Sequence, residues 1–197
     1  MYVDTELGTQ MVRWRRELHQ FPETGFNEHK TAAFVAAALR AMGLEVHQGI
    51  GGTGLVASLT AGEGQGVIGL RADMDALAMT ETAQGREHIS RNPGCMHGCG
   101  HDGHTTMLLG AARYLAQSED FNGTVNFIFQ PGEEGAGGAL SMLGDGLLER
   151  FPQNYHEPYF ESYLDEDFVH IAAAHGLAHV RDEPAFVSKV MVFDKRP

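Results

Sequence analysis

Cysteine is nearly absent: the 197 residues hold two, Cys95 and Cys99, four positions apart. Two thiols cannot build the disulfide framework of a small secreted protein, so they point to a metal or redox role in a reducing compartment. Basic residues are also scarce, with 14 Lys and Arg against 26 Asp and Glu and a formal net charge of -12. Such a surface repels phosphate backbones and anionic lipid, which sets nucleic acid and membrane aside as partners. No apolar run is long enough to span a bilayer. Met1 to Gln20 is charged throughout and reads as an amphipathic helix, not as the apolar stretch of a secretory signal, so a cytoplasmic location is expected. The chain has no internal repeat and no low-complexity tract.

What is present suits a globular domain. Hydrophobic residues make up 43% and charged residues 20%, enough for one good core and a tight fit for a second domain. Leu7, Met11, Trp14 and Leu18 recur at helical spacing and predict a helix from Thr5 to His19, ended by Phe21-Pro22. A second helix is expected from Asn27, a good cap, through Thr31–Met42 to Gly43. Strands are expected at Leu44–His47, Leu55–Leu59, Val67–Leu70 and Thr124–Phe129, with helices over His104–Leu115 and Ala136–Arg150 and a loop over Ala83–Cys95. Strands alternating with helices predict an α/β fold, a mostly parallel (mixed) sheet flanked by helices. Ligands in such folds bind at the carboxyl edge of the sheet, where Asp73-Met74-Asp75 and Glu133-Glu134 fall. After Pro152 the character changes: Gln153–Asp167 is aromatic and acidic without a period, and Phe168–Val180 reads as a short helix or strand.

The densest chemistry lies in Cys95-Met96-His97-Gly98-Cys99-Gly100-His101-Asp102-Gly103-His104. Thiolate, imidazole and carboxylate are common ligands of zinc and similar divalent ions, and glycines let a loop bend around one. Buried Cys beside unrelated surface His is the bland alternative, and the density of the cluster argues against it. Glu133 and Glu134 follow a strand and a Pro-Gly turn; adjacent carboxylates point apart, so one can hold metal while the other moves a proton. A solvated acidic pair is the alternative. Asp73 and Asp75 share a face of an extended segment and suit orienting a ligand His or Cys, or capping a helix. His19 and His29 are expected on helix surfaces; His88, His156, His170, His175 and His179 are unplaced by pattern, with His156 the nearest candidate for a further ligand.

Four stretches, in order, carry a resemblance: Arg15-Arg16-Glu17-Leu18-His19 with Pro22-Glu23-Thr24-Gly25-Phe26; Arg71-Ala72-Asp73-Met74-Asp75-Ala76-Leu77; His97-Gly98-Cys99-Gly100-His101-Asp102-Gly103-His104-Thr105; and Phe129-Gln130-Pro131-Gly132-Glu133-Glu134-Gly135. On these the chain resembles the amidohydrolase branch of the metallo-aminoacylase and carboxypeptidase family, with hippurate hydrolases, N-acyl-amino-acid amidohydrolases and auxin-conjugate hydrolases. The resemblance implies a zinc-exopeptidase-like catalytic domain with two divalent ions (zinc, manganese, cobalt or nickel). It implies Cys99, His101 and Glu134 as metal ligands, Glu133 as general base and acid, and Asp75 (Asp73 being the alternative) as the acid that orients the site. The implied reaction is hydrolysis of the amide bond of a small-molecule N-acyl amino acid.

The resemblance covers about Met11 to Pro152, read as the N-terminal part of the catalytic domain (1–152), followed by a divergent tail (153–197). Nothing in the chain resembles the family's inserted lid and dimerisation domain. Arg150-Phe151-Pro152 is followed by Gln153-Asn154-Tyr155-His156, so His156 lies slightly early for the family's next ligand. A truncated or frame-shifted product and a natural short form both fit this pattern. Without the second half, an exposed sheet edge predicts self-association. A metal-binding remnant without turnover, and a redox protein using Cys95 and Cys99, are the alternative functions.

Overall fold

The computed structural model describes residues 5–82, 85 and 87–152 and, as backbone alone, 177–184 and 189–195. It divides into two compact units, Met1–Tyr155 and His156–Pro197. The first holds two helices, α1 (Thr5–Gln20) and α2 (His29–Ala41). Strands β1 (Glu45–Ile50), β2 (Gly54–Ala61) and β3 (Val67–Asp73) follow, then helix α3 (His101–Ser118), strand β4 (Gly123–Gln130), and two short helices, α4 (Gly138–Gly144) and α5 (Leu147–Arg150). In the second unit β5 (Leu177–Pro184) and β6 (Lys189–Lys195) form an antiparallel pair. Residues 177–180 of the stretch read as a short helix or strand are thus strand, and 168–176 lie outside the described residues.

The four-stranded sheet runs in the order β1-β2-β4-β3. It is mixed and flanked by helices, as expected, but the parallel share is smaller than the alternation of elements implies. Only β3 and β4 pair in parallel, while β1–β2 and β2–β4 are antiparallel. Helix α3 is the crossover that parallel neighbours require. Parallel pairing sets the carboxyl ends of β3 and β4 side by side, with Asp73 opposite Gln130. That register decides where the chemistry collects.

An apolar cluster lies against each sheet face. On β4, Val125, Phe127 and Phe129 point to one face, where they pack with Leu55, Val35, Leu39 and Leu109 beneath α1, α2 and α3. Ile128 points to the other, against Val56, Met142, Leu147 and Phe151. This is the period of two read in reverse: alternate residues feed different cores. Phe127 and Phe129 are fully buried, and each contributes about 2–3 kcal/mol by leaving water. Helices α1 and α3 approach closely at Gly110, where a Cβ would sit 2.7 Å from Met11 Sδ.

Several boundaries differ from expectation for tertiary reasons. Helix α2 starts at His29, and Asn27 does not cap it; Asn27 Nδ2 donates instead to Thr24 Oγ1 and the Gly25 carbonyl. The free N–H groups of Lys30 and Thr31 donate to the Glu23 carboxylate. Helix α3 starts three residues before His104, because Gly100 takes a left-handed conformation (φ 89) that turns the chain directly into the helix. The stretch Ala136–Arg150 is not one helix. Asp145 interrupts it and accepts a hydrogen bond from Gly51 N–H at 2.7 Å, and Gly146 follows at φ 78.

Candidate metal centre

Three backbone segments meet at the carboxyl edge of β3 and β4. The first is Asp73-Met74-Asp75, leaving β3. The second is the loop through Cys99 into α3, tied to the first by reciprocal backbone hydrogen bonds between Leu77 and Met96 (3.0 and 3.1 Å). The third is Pro131-Gly132-Glu133-Glu134, leaving β4.

His101 is the hub. It is buried, and its Nδ1 donates to the Asp75 carbonyl (2.9 Å) and faces Asp75 Oδ1 (3.3 Å). A proton held at Nδ1 leaves Nε2 with a lone pair, the arrangement that a carboxylate imposes on a ligating histidine. Nε2 lies 3.7 Å from each of Asp73 Oδ1, Glu133 Oε2 and Glu134 Oε1. Burial alone would lower the His101 pKa; the Asp75 hydrogen bond and the charges of Asp73 and Asp75 outweigh it and raise it. Asp75 shows the converse. Burial favours its neutral form, but the His101 hydrogen bond and the backbone N–H groups of Glu134 and Glu133 hold its pKa below the usual value.

Cys99, His101 and Glu134 each offer a ligand atom, and these atoms lie within 4.8 Å of one another. The Cys99 thiol is pushed up to about 11, first by its hydrogen bond to Glu134, then by burial and the charges of Glu134, Glu133 and Asp75. Thiol, imidazole and carboxylate drawn together amid surplus negative charge fit a divalent cation, which would reverse the penalty on the thiolate. A second trio, Asp73, His101 and His104, also converges. Its atoms are already engaged: His104 Nδ1 donates to Asp73 Oδ1 at 2.7 Å, and Arg71 Nη1 to Asp73 Oδ2 at 2.9 Å. Both trios draw on His101, so the first is the better cation site and the second its flank.

Of the residues singled out from sequence, Cys99, His101, Glu134, Glu133 and Asp75 come together. Glu133 stands beside the trio, its side chain about a quarter exposed. His156 lies outside the described residues. Cys95 is a free, half-buried thiol, its pKa raised by burial and Glu23.

His19 overturns its reading as a surface residue. It is buried, with Nδ1 2.8 Å from Asp102 Oδ2 and Nε2 3.3 Å from Glu81 Oε1. Position 19 flanks the Leu7–Leu18 stripe, so α3 packing covers it, and Arg15 four residues earlier reaches the same Asp102 oxygen at 3.3 Å. Asp102 therefore pins α3 to α1 and leaves the cation site to its neighbours. His97 is buried with neither ring nitrogen hydrogen-bonded by the described residues, and burial first of all lowers its pKa to about 4. Nothing in the sequence separated it from His101 and His104.

Residues 69–185 match peptidase family M20/M25/M40. The chain is 49% identical over 150 residues to a hippurate hydrolase of Campylobacter jejuni, covering 76% of this chain and 39% of that protein. It is 44% identical over 147 residues to an N-acyl-L-amino acid amidohydrolase of Geobacillus stearothermophilus, covering 73% and 39%. Among solved structures, a dinuclear metal binding peptidase of the M20 family from Bacillus subtilis superposes with a TM-score of 0.70 at 38% identity, over 74% of this chain and 41% of that one. The chain thus spans about two fifths of the length of the relatives it matches. No helix among the described residues is long and apolar enough to cross a membrane. The matched region contains all three segments of the cation site, and the chain belongs to peptidase family M20/M25/M40.

Proposed function

We propose that this chain carries the metal-binding part of a hydrolase that cleaves the amide bond of N-acyl amino acids. The observation that carries the reading is the convergence of Cys99, His101 and Glu134, with the partly exposed Glu133 carboxylate next to them, 3.7 Å from His101 Nε2. Relatives named for hippurate, N-acyl-L-amino acids and N-acetyl-L-cysteine support the substrate class.

Cys99, His101 and Glu134 would hold a divalent ion, zinc, manganese, cobalt or nickel. The dinuclear peptidase supports a second ion, with His156 a candidate among its ligands. When bound, the metal supplies Lewis acidity toward the amide carbonyl and acidifies water. The protein's own residues do the rest. Asp75 fixes the His101 tautomer and ring orientation through Nδ1. Glu133, adjacent to the trio and partly solvated, takes a proton from the attacking water and returns it to the departing amine nitrogen. Residues 1–152 are assigned to the catalytic domain, and two free thiols with an acidic surface suit the cytoplasm.

The test is amino acid release from a panel of benzoyl-, acetyl- and indoleacetyl-amino acids by the full chain with added Zn2+ or Mn2+. Turnover that Glu133→Gln abolishes, with metal content unchanged, is the expected result. No turnover by the wild type together with one bound ion per chain would favour the second reading, a metal-binding protein without catalysis. That reading draws on the same trio, Cys99, His101 and Glu134, holding one ion alone.

A further inference from the structure

Glu28 occupies the N-cap position of α2, yet its side chain makes no capping hydrogen bond. Glu23 performs that duty from outside the helix. Glu28 is instead fully buried and turned toward a segment 104 residues away. Its Oε1 accepts from Gly132 N–H at 2.8 Å, and its Oε2 accepts from Thr53 Oγ1 at 2.5 Å.

Gly132 opens the loop that carries Glu133 and Glu134. Two positions on, Glu134 N–H donates to Asp75 Oδ2 at 2.9 Å. The backbone on either side of Glu133 is therefore held by two buried carboxylates from different elements. The fit behind the loop is close: a Cβ on Gly25 would lie 3.0 Å from Gly132 Cα, and one on Gly132 would lie 3.2 Å from the Phe26 ring. Gly132 itself has φ 52, so the loop turns sharply where Glu28 holds it. The stretch from Glu23 to Glu28 also reaches the other side of the site, since Ala76 N–H donates to the Glu23 carbonyl at 2.8 Å.

We infer that Glu28 is a positioning residue for the acid pair: it fixes the Gly132 amide, and through it sets the Glu134 carboxylate against Cys99 and His101. Glu28 itself touches neither ion nor substrate. The inference rests on the metal-centre reading above. A carboxylate is suited to the task because each of its oxygens accepts one of the two donors. A glutamine can substitute: its Oε1 accepts from Gly132 N–H while its amide donates to Thr53, whose hydroxyl can reverse role. An aliphatic side chain cannot.

The test is Co2+ titration of the full 197-residue chain, following the thiolate-to-cobalt absorption that reports Cys99 directly. Glu28→Leu is expected to weaken Co2+ binding about ten-fold, the scale seen when a residue supporting a metal ligand is lost. Glu28→Gln is expected to stay within about two-fold of wild type. Made in a Glu134→Gln background, Glu28→Leu is expected to change affinity by less than about two-fold, because its effect runs through Glu134. A general loss of structure would not respect that background. Wild-type affinity in Glu28→Leu, or an equal loss with and without Glu134, overturns the inference. If Glu28→Leu does not fold, Glu28→Asp carries the test: it keeps the charge but draws the carboxylate back from Gly132, so weakened binding supports the role and unchanged binding refutes it. A wild-type chain that takes up no Co2+ overturns the metal-centre reading and this inference together, whereas tight wild-type binding that ignores Glu28 overturns this one alone.

Discussion

Asp75→Asn in the metal-free chain is expected to cost about 3 kcal/mol of stability near pH 5.5 and about half of that near pH 9. Asp75 is 1% exposed, and its two oxygens serve two donors, His101 Nδ1 and Glu134 N–H. Asparagine offers one oxygen, so its amide must face one of the two donors. Turned toward His101, whose Nδ1 keeps its bond to the Asp75 carbonyl at 2.9 Å, the amide forfeits one side-chain hydrogen bond, about 0.5–1.5 kcal/mol at any pH. The rest is charge. The Asp75 pKa lies below 3.8, so the stability its carboxylate contributes is present above that value and lost as pH falls through the lowered one. The His101 pKa lies above 6.5, so the stability its charge contributes is present below 6.5 and lost as pH rises through the raised value. Both groups are charged together from about pH 4 to 6.5, and within that window the hydrogen bond is charge-assisted and adds about 1.5–3 kcal/mol. Asparagine removes that part, so the gap between wild type and variant narrows as His101 loses its proton. Urea unfolding with chelator present, followed by fluorescence of the single tryptophan, the buried Trp14, measures it. A difference that is independent of pH, or that grows toward pH 9, would refute the account of the Asp75–His101 pair.

Other consequences follow from the same geometry. Phe127→Ala empties the centre of β4 and should lower stability by about 3–5 kcal/mol in thermal unfolding; a loss under about 1 kcal/mol would mean that Phe127 is not at the core. Gly138→Ala would place a Cβ 1.6 Å from the Pro131 carbonyl oxygen and must displace the loop bearing Glu133 and Glu134. It should cost about 2 kcal/mol or more and weaken Co2+ binding, whereas Gly8→Ala, in open space within α1, should be neutral or stabilise by up to about 1 kcal/mol. With its pKa raised from 9.0 to about 11, exposed Cys99 should react about ten-fold more slowly with iodoacetamide at pH 8 in the folded metal-free chain than in urea, the smaller thiolate fraction being partly offset by the greater nucleophilicity of the more basic thiolate. Equal rates, read by peptide mass spectrometry, would remove the carboxylate cage around it.

The sequence makes much of this architecture visible, and the limits have identifiable causes. Leu7, Met11, Trp14 and Leu18 mark α1 because a helix with one buried face repeats at that interval. Val125, Phe127 and Phe129 mark β4 because alternate residues enter one core. The candidate site is legible because its residues gather at strand ends and in one dense His/Cys loop. Strand direction was not: alternation is the same whether β2 runs with or against β4, and the antiparallel pairing emerges only from the register. Caps went astray for a similar reason. Asn27 has the chemistry of a cap, but the donors of α2 are met by Glu23, which local pattern cannot place there. His19 reads as a surface position until Asp102, 83 residues later, packs on it.

The buried acids explain why the site keeps its shape. Glu28 holds Gly132, Asp75 holds Glu134 and His101, and Asp102 holds His19 and Arg15; each carboxylate bridges separate segments through N–H donors. Their geometry is fixed by the fold and does not wait for a cation. Cys99, Glu134 and Glu133 form the remaining edge, where a thiol kept protonated is hydrogen-bonded to Glu134 and the surrounding carboxylates disfavour its thiolate. A divalent ion placed there relieves charge crowding without having to organise the backbone, so little of its binding energy is diverted into ordering the chain. On the proposed ligand set, rigidity comes from carboxylates outside the trio, and affinity from the few groups that would touch the ion. That division is why a change at Glu28 or Asp75, outside the ligand trio, should be felt at the metal.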